Sequence, residues 1–183
     1  RMSRITKPQP MRSLALRDTS LNYIVNLMNR SLIRTENPSM FITFFAGVLN
    51  LNTHRLRFCN AGHPYPVLIA PDGTVSFFKT NDNLPLGVTS DYEYEEQECY
   101  FAPGSQLVLY SDGVSEAQNE QSRFYKVDRF FNFIANNADL APRELVENVI
   151  ANVDAFVGGA EQSDDLTVMS FRFKSRTKSR GAL

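Results

Sequence analysis

Two stretches of this chain carry acids where apolar strands stop or start, an arrangement suited to gripping a cation. In the first, Leu107-Val108-Leu109-Tyr110 runs without interruption into Ser111-Asp112-Gly113, and Val114-Ser115-Glu116-Ala117 then opens a helix. Four apolar or aromatic residues in a row fit a strand covered on both faces. Nothing in such a strand needs a carboxylate, so Asp112 is either a turn former or a ligand held at the strand's end. Asp-Gly is common in turns because both residues tolerate unusual backbone angles. In the second stretch, Ser163-Asp164-Asp165 sits immediately before another apolar strand, Leu166 to Phe173. Two strands that each bear an acid at one end can converge on a hard cation, which prefers oxygen ligands.

Other residues suited to chemistry are few. Gly113 lets the backbone turn sharply behind Asp112 and bring its amide close to a ligand. His63 and His54 are the only histidines. Between Gly62 and Pro64, His63 is read first as a brace for a strand corner, with contact to a ligand as the alternative. His54 falls in a hairpin turn and is expected to be exposed. No Ser–His–Asp or Cys–His nucleophilic arrangement stands out.

The elements that must position these acids are legible in outline. Helical spacing of Leu21, Ile24, Val25, Met28, Leu32 and Ile33 follows an N-cap at Thr19 or Ser20 and ends at Asn37-Pro38. Phe41 to Leu49 reads as a strand packed on both sides. Asn52-Thr53 then turns into Arg55–Asn60, where Leu56 and Phe58 alternate with Arg55 and Arg57. Past the Ala61-Gly62-His63-Pro64 corner come strands at Pro66–Ala70 and Thr74–Lys79, joined by Pro71-Asp72-Gly73. A polar loop spans 80–91. Tyr92–Phe101 reads as a half-exposed strand whose glutamates, Glu93, Glu95, Glu96 and Glu98, form a solvated or edge-guarding face. Helices are predicted at Val127–Asn136 and Pro142–Val157, the second stopped by Gly158-Gly159, with a stripe of Leu145, Val149, Ile150, Val153, Phe156 and Val157. This order suggests an α+β fold rather than an alternating parallel one.

Composition bounds the function. At 183 residues the chain suits one domain, and 43% hydrophobic with 21% charged residues is ordinary for a globular protein. No apolar run approaches the roughly 20 residues needed to span a bilayer, and no signal peptide is visible. Cys59 and Cys99 have no CxxC partner and read as reduced cysteines of a cytosolic (cytoplasmic) protein. Residues 1–17 hold five bases and no acid, and residues 174–183 hold four and no acid. Subtracting these nine from 19 leaves 10 bases against 20 acids in residues 18–173, a body charge of −10. Such a body suits divalent cations and argues against nucleic acid. The basic ends could touch phosphates or anionic lipid, though short basic tails are ordinarily just solvated.

Five motifs in order carry a resemblance. They are Met40-Phe41-Ile42-Thr43, Asn60-Ala61-Gly62-His63-Pro64, Leu84-Pro85-Leu86-Gly87, Tyr110-Ser111-Asp112-Gly113-Val114-Ser115-Glu116-Ala117 and Asp164-Asp165-Leu166-Thr167. Together they resemble the metal-dependent PPM-type (PP2C-like) serine/threonine phosphatases, in the bacterial branch related to SpoIIE and RsbU, from about residue 20 to residue 173. The resemblance implies two stacked antiparallel sheets flanked by helix pairs, an αββα sandwich, and a site for two Mn²⁺ or Mg²⁺ ions. Asp112 and Asp164 match positions that ligate metal and so carry the catalysis. Asp165 stands where relatives carry Asp or Asn and would orient the site by hydrogen bonding. The resemblance also puts His63 near the active site, where it could contact phosphate or a metal-bound water.

Phosphate monoesters hydrolyse extremely slowly in water, and two ions can supply both a stronger nucleophile and charge neutralisation. The implied partner is a phosphorylated protein, an anti-sigma-factor antagonist in bacterial partner-switching signalling. Neither nucleic acid nor a membrane span is expected, and a dimer is left open. The carboxy-terminal portion of the phosphatase domain is expected at residues 18–173, between an irregular basic lead-in at 1–17 and a basic tail at 174–183. One departure stands out. The family's early acidic segments, of Gly-Gly-Asp-x-Tyr-Asp and Gly-Asp-x-x-Gly-Lys-Gly type, have no counterpart before Met40, where only Asp18 and Glu36 are acidic. With Asp112 and Asp164 as its main ligands, this polypeptide alone is expected to bind at most one ion weakly and to hydrolyse phosphate esters negligibly. A catalytically incomplete fragment or pseudophosphatase acting as a protein-binding module is the alternative reading.

Overall fold

The structure, a computed structural model, describes residues 20–33 and 41–174. Helix α1 (Leu21–Ile33) is followed by strands β1 (Phe44–Asn50), β2 (Arg55–Ala61), β3 (Val67–Ile69), β4 (Val75–Phe77), β5 (Gln97–Tyr100) and β6 (Gln106–Tyr110). The short helix α2 (Asp112–Ser115), helices α3 (Val127–Ala135) and α4 (Pro142–Val157), and strand β7 (Val168–Arg172) complete it. One sheet has the order β1-β2-β5 and the other β4-β3-β6-β7, every pair antiparallel.

Side-chain alternation decides which faces meet. From β2, Leu56 and Phe58 enter the space between the sheets and meet Leu107 and Leu109 of β6, with Phe78, Phe101 and Phe173 around them. Cys59 and Ala61, on the other face of β2, pack under Leu21 and Val25 of α1. The other residues of β6, Val108 and Tyr110, pack against Phe130 and Ile134 of α3 and Leu145, Val149 and Val153 of α4. All five residues of β6 are therefore buried, which accounts for its apolar run. The fold is α+β, two stacked antiparallel sheets with helices on the outer faces, as the sequence leads one to expect.

Several boundaries differ, each for a physical reason. β1 is not packed on both sides: it is an edge strand, pairing with β2 alone among the described residues, and Val48 is 43% exposed. The strand expected over Tyr92–Phe101 shortens to β5. Residues 92–96 leave the ladder because Asn26 of α1 takes up the backbone of Tyr94, accepting from its N–H at 3.0 Å and donating to its carbonyl at 3.4 Å. Tyr94 is consequently buried rather than half exposed.

Among the glutamates there, Glu96 is more than an edge guard. It pairs with Arg57 at 3.1 Å and accepts the Leu21 N–H at 2.6 Å, capping α1. Ile150 turns outward instead of joining the buried stripe of α4. His54 is half-buried, with its ring 5.0 Å from that of Phe173. Helix α4 does begin at Pro142 and stop at Gly158, whose φ is +65°. Thr19, Asn37-Pro38, Met40, the basic lead-in and all of the basic tail except Lys174 lie outside the described residues. Among the described residues no helix is long and apolar enough to cross a membrane, and both cysteines are free.

Candidate active site

The β6–β7 ladder runs from Gln106↔Arg172 to Tyr110↔Val168, so the end of β6 and the start of β7 lie side by side. Ser111 extends this pairing past the sheet. Its N–H donates to the Thr167 carbonyl at 3.0 Å, its Oγ accepts the Thr167 N–H at 3.0 Å, and the same hydroxyl donates to the Asp165 carbonyl at 3.2 Å. Gly113 then passes so close to the 164–165 segment that a Cβ there would stand 2.3 Å from the Asp165 carbonyl oxygen. Any side chain at 113 would push that segment away. Glycine is required here for contact, not for a left-handed backbone. Asp112, the first residue of α2, and the Asp164-Asp165 pair are thereby held at neighbouring strand ends.

Two of the three carboxylates have a local anchor. Asp112 accepts the Gly113 N–H at 3.0 Å, and Asp164 accepts the Asp165 N–H at 2.7 Å. The Gln162 side chain donates to the Asp164 carbonyl at 2.7 Å. All three acids are exposed, and none forms an ion pair among the described residues.

The His63 corner is built by Asn60. Buried Asn60 accepts the His63 N–H at 2.8 Å and donates to the His63 carbonyl at 3.0 Å and to Thr80 Oγ1 at 2.8 Å. Gly62, at φ +70°, lies against Pro85, whose ring would be 2.7 Å from a Cβ there. Leu86 exchanges two backbone hydrogen bonds with Ile42, at 2.8 and 2.9 Å. Three of the five sequence motifs thus form one packed unit around the corner. The His63 imidazole has no hydrogen-bond partner among the described residues. Burial pushes its pKa below the usual value, and the negative charge of Asp112 works against that shift. Through that field the corner and Asp112 meet electrostatically.

Residues with no apolar signal hold this unit in place. Asn29 of α1 accepts the Gly87 N–H at 2.8 Å and donates to the Thr89 carbonyl at 2.9 Å, while the Tyr94 hydroxyl donates to the Pro85 carbonyl at 2.9 Å. Two asparagines three apart in an amphipathic helix, Asn26 and Asn29, are the signal that reading by apolar residues alone passes over. Ser111 and Asn60 lie inside motifs, but their hydrogen-bonding roles are visible only in three dimensions.

By donor type the acids fit a hard divalent cation: exposed carboxylate oxygens, free of competing cationic partners, on adjoining strand ends. Asp112 and Asp164 would hold it. Among the described residues no group of three or more His, Cys, Asp or Glu side chains is arranged to hold a metal ion. A hollow of about 1010 Å³ opens at the opposite ends of these strands, between residues 48–53 and 171–174, away from the acids.

Comparison with known proteins bears on this arrangement. The profile of the family described as Stage II sporulation protein E (SpoIIE) matches residues 9–174. The phosphoserine phosphatase RsbU of Bacillus subtilis (strain 168) is 25% identical over 151 residues, covering 82% of this chain and 44% of RsbU. Protein IcfG of Synechocystis sp. is 26% identical over 140 residues, covering 75% of this chain and 22% of IcfG. The chain spans less than half the length of either relative. Among solved structures, the RsbU and RsbW domains of a Mycobacterium tuberculosis protein give a TM-score of 0.68 at 17% identity, over 87% of this chain and 43% of that one. The SiaA-PP2C domain of Pseudomonas aeruginosa gives 0.66 at 23% identity, over 82% and 60%. The Mn-presoaked SpoIIE phosphatase domain of B. subtilis gives 0.60 at 16%, over 87% and 69%. These structural likenesses speak for the fold alone. A profile match along nearly the whole chain, on a fold shared with PP2C domains, shows that it belongs to the Stage II sporulation protein E family, the SpoIIE/RsbU-like branch of the PPM-type phosphatases.

Proposed function

We propose that residues 18–173 belong to a Mn²⁺- or Mg²⁺-dependent phosphatase that acts on phosphoserine or phosphothreonine of a regulatory protein. Following the resemblance of its motifs, we take the substrate to be an anti-sigma-factor antagonist of a bacterial partner-switching pathway in the cytoplasm. The observation that carries this reading is the Ser111–Thr167–Asp165 clasp, which holds Asp112 and Asp164 at adjoining strand ends, with His63 within the field of Asp112. A divalent cation supplies charge that offsets the phosphoryl oxygens and eases ionisation of the attacking water. Asp112 and Asp164 bind it through oxygen. Asp165 steadies Asp164 through its backbone N–H and closes the segment over Gly113. Burial favours the neutral form of His63, which would take or give a hydrogen bond at the substrate.

A second reading, a binding module without turnover, draws support from the absence of a third ligating side chain among the described residues. One experiment separates the two. In the protein as the cell makes it, assayed with Mn²⁺ on a phosphoserine protein, Asp112→Asn and Asp164→Asn should each remove nearly all turnover while leaving the melting temperature within a few degrees. Wild-type turnover in either variant sinks that ligand. A wild-type protein that binds its phosphorylated partner without hydrolysing it establishes the second reading.

A further inference from the structure

Ten of the chain's bases lie within residues 18–173, and three of them, Arg123, Lys126 and Arg129, fall within seven residues of one another. Arg30, Arg55 and Arg57 are taken up in ion pairs with glutamates. None of the clustered three has a carboxylate partner among the described residues, and all three are exposed. Two shallow hollows of about 600 and 710 Å³ share Phe124, Lys126, Arg129 and Phe156 in their walls. Phe124 is 48% exposed. The Arg129 guanidinium sits 4.4 Å from the Phe156 ring centre and 5.5 Å from that of Tyr125, a contact that fixes its plane without using its N–H donors.

The backbone beneath is held against its preference. Ser122 and Lys126 have φ of 56° and 70°, unusual for residues with side chains. The Lys126 N–H donates to the Ser115 carbonyl and the Tyr125 N–H to the Ala117 carbonyl, both at 2.8 Å. Asn119 Oδ1 accepts the N–H groups of Gln121 and Arg123. The loop is therefore pinned to α2, the helix that begins with Asp112.

We infer that this surface docks an acidic segment of the phosphoprotein whose phosphoryl group is presented to the Asp112 site, an inference that rests on the proposed phosphatase function. A patch of three cations and aromatic rings, with Asp128 the one acid in the walls of the two hollows, complements an acidic segment on a body of net charge −10, and the rest of that body repels one. Steering would also keep the segment's charges away from the three site acids.

The test is binding, by fluorescence anisotropy, of short synthetic phosphoserine peptides flanked either by Asp and Glu or by Asn and Gln. The full chain should bind the acidic peptide at least about tenfold more tightly, and added salt should narrow the gap. R123E, whose side chain forms no ion pair or hydrogen bond among the described residues, and R129E should each remove most of that preference, R123E without a change in melting temperature. An unphosphorylated acidic peptide, and the Asp112→Asn variant, should keep it. The docking result therefore stands even if turnover is never found, and a wild-type protein that turns over its substrate yet binds the two peptides equally sinks docking alone. Equal binding of the two peptides, or a preference that survives R123E, overturns the inference. So does tighter binding to phosphatidylserine vesicles than to the acidic peptide, which would assign the patch to a membrane surface.

Discussion

Asp112, Asp164 and Asp165 carry the same charge in different surroundings. The backbone of Asp165 is engaged at both its N–H and its carbonyl, which makes this residue part of the frame around Asp164. Asp165→Asn keeps that frame, so turnover should fall only about tenfold to a hundredfold, the scale of groups that orient a ligand. An effect as large as that of Asp112→Asn in parallel assays would make Asp165 a ligand itself. His63 is the other residue whose role geometry sharpens. The corner is braced by the Asn60 side chain acting on the His63 backbone, and the ring takes no part. His63→Gln should therefore cost under about 1 kcal/mol of stability, less than a typical hydrogen bond. Turnover per folded molecule should drop about a hundredfold, in the range of one proton-handling group. A fall in melting temperature with turnover intact would return His63 to a purely structural role.

At the scale of elements, the site depends on two strand ends staying in register beyond the last ladder pair. The Ser111 hydroxyl both accepts from Thr167 and donates to Asp165, so it ties the carboxyl end of β6 to the segment leading into β7. Ser111→Ala should lower stability by about 1 kcal/mol, since water can reach the exposed Thr167 N–H. Its larger effect should be on metal response, with the Mn²⁺ needed for half-maximal activity rising about tenfold. Ser111→Thr keeps the hydroxyl and should restore most of it. Rescue is the outcome a merely packed serine would not give. Gly113→Ala acts on the same clasp by force, because its Cβ would overlap the Asp165 carbonyl oxygen. It should abolish activity more completely than Ser111→Ala.

For the whole molecule, the layered core places ionisable groups where only their neutral forms are tolerated. Burial, with the charge of Glu96 adding to it, pushes the Cys59 thiol up to about 11, and burial takes Tyr94 and Tyr110 to about 12. Each folded-state value lies above the usual one. The stability these groups lend is therefore complete below the unfolded values and is lost as pH rises through the folded ones. Unfolding free energy should decline from about pH 9 toward 11, before any effect of the tyrosines is complete. Cys59→Ala should flatten that decline in denaturant titrations, and an unchanged slope would remove Cys59 as its cause. The thiol should also resist alkylation at pH 8 until the protein unfolds.

Much of this was local and so already present in the order of residues. An apolar run ending in Asp-Gly specifies a buried strand and its break, and acids directly before an apolar strand specify the facing end, whatever surrounds them. The buried alternation of β2 and the start and stop of α4 are equally short-range. Tertiary structure alone decided which strand lay at an edge, and so left β1 half exposed although its composition matches a covered strand. It also decided where pairing stopped. Residues 92–96 leave the sheet because an asparagine 68 positions away offers the Tyr94 backbone better partners. The same holds at the site, where Ser111 meets Thr167 across 56 residues and Asn29 meets Gly87 across 58. Apolar periodicity reports which face of an element avoids water. A hydrogen bond between polar side chains and distant backbone leaves no such period, and only the folded chain brings its two ends together.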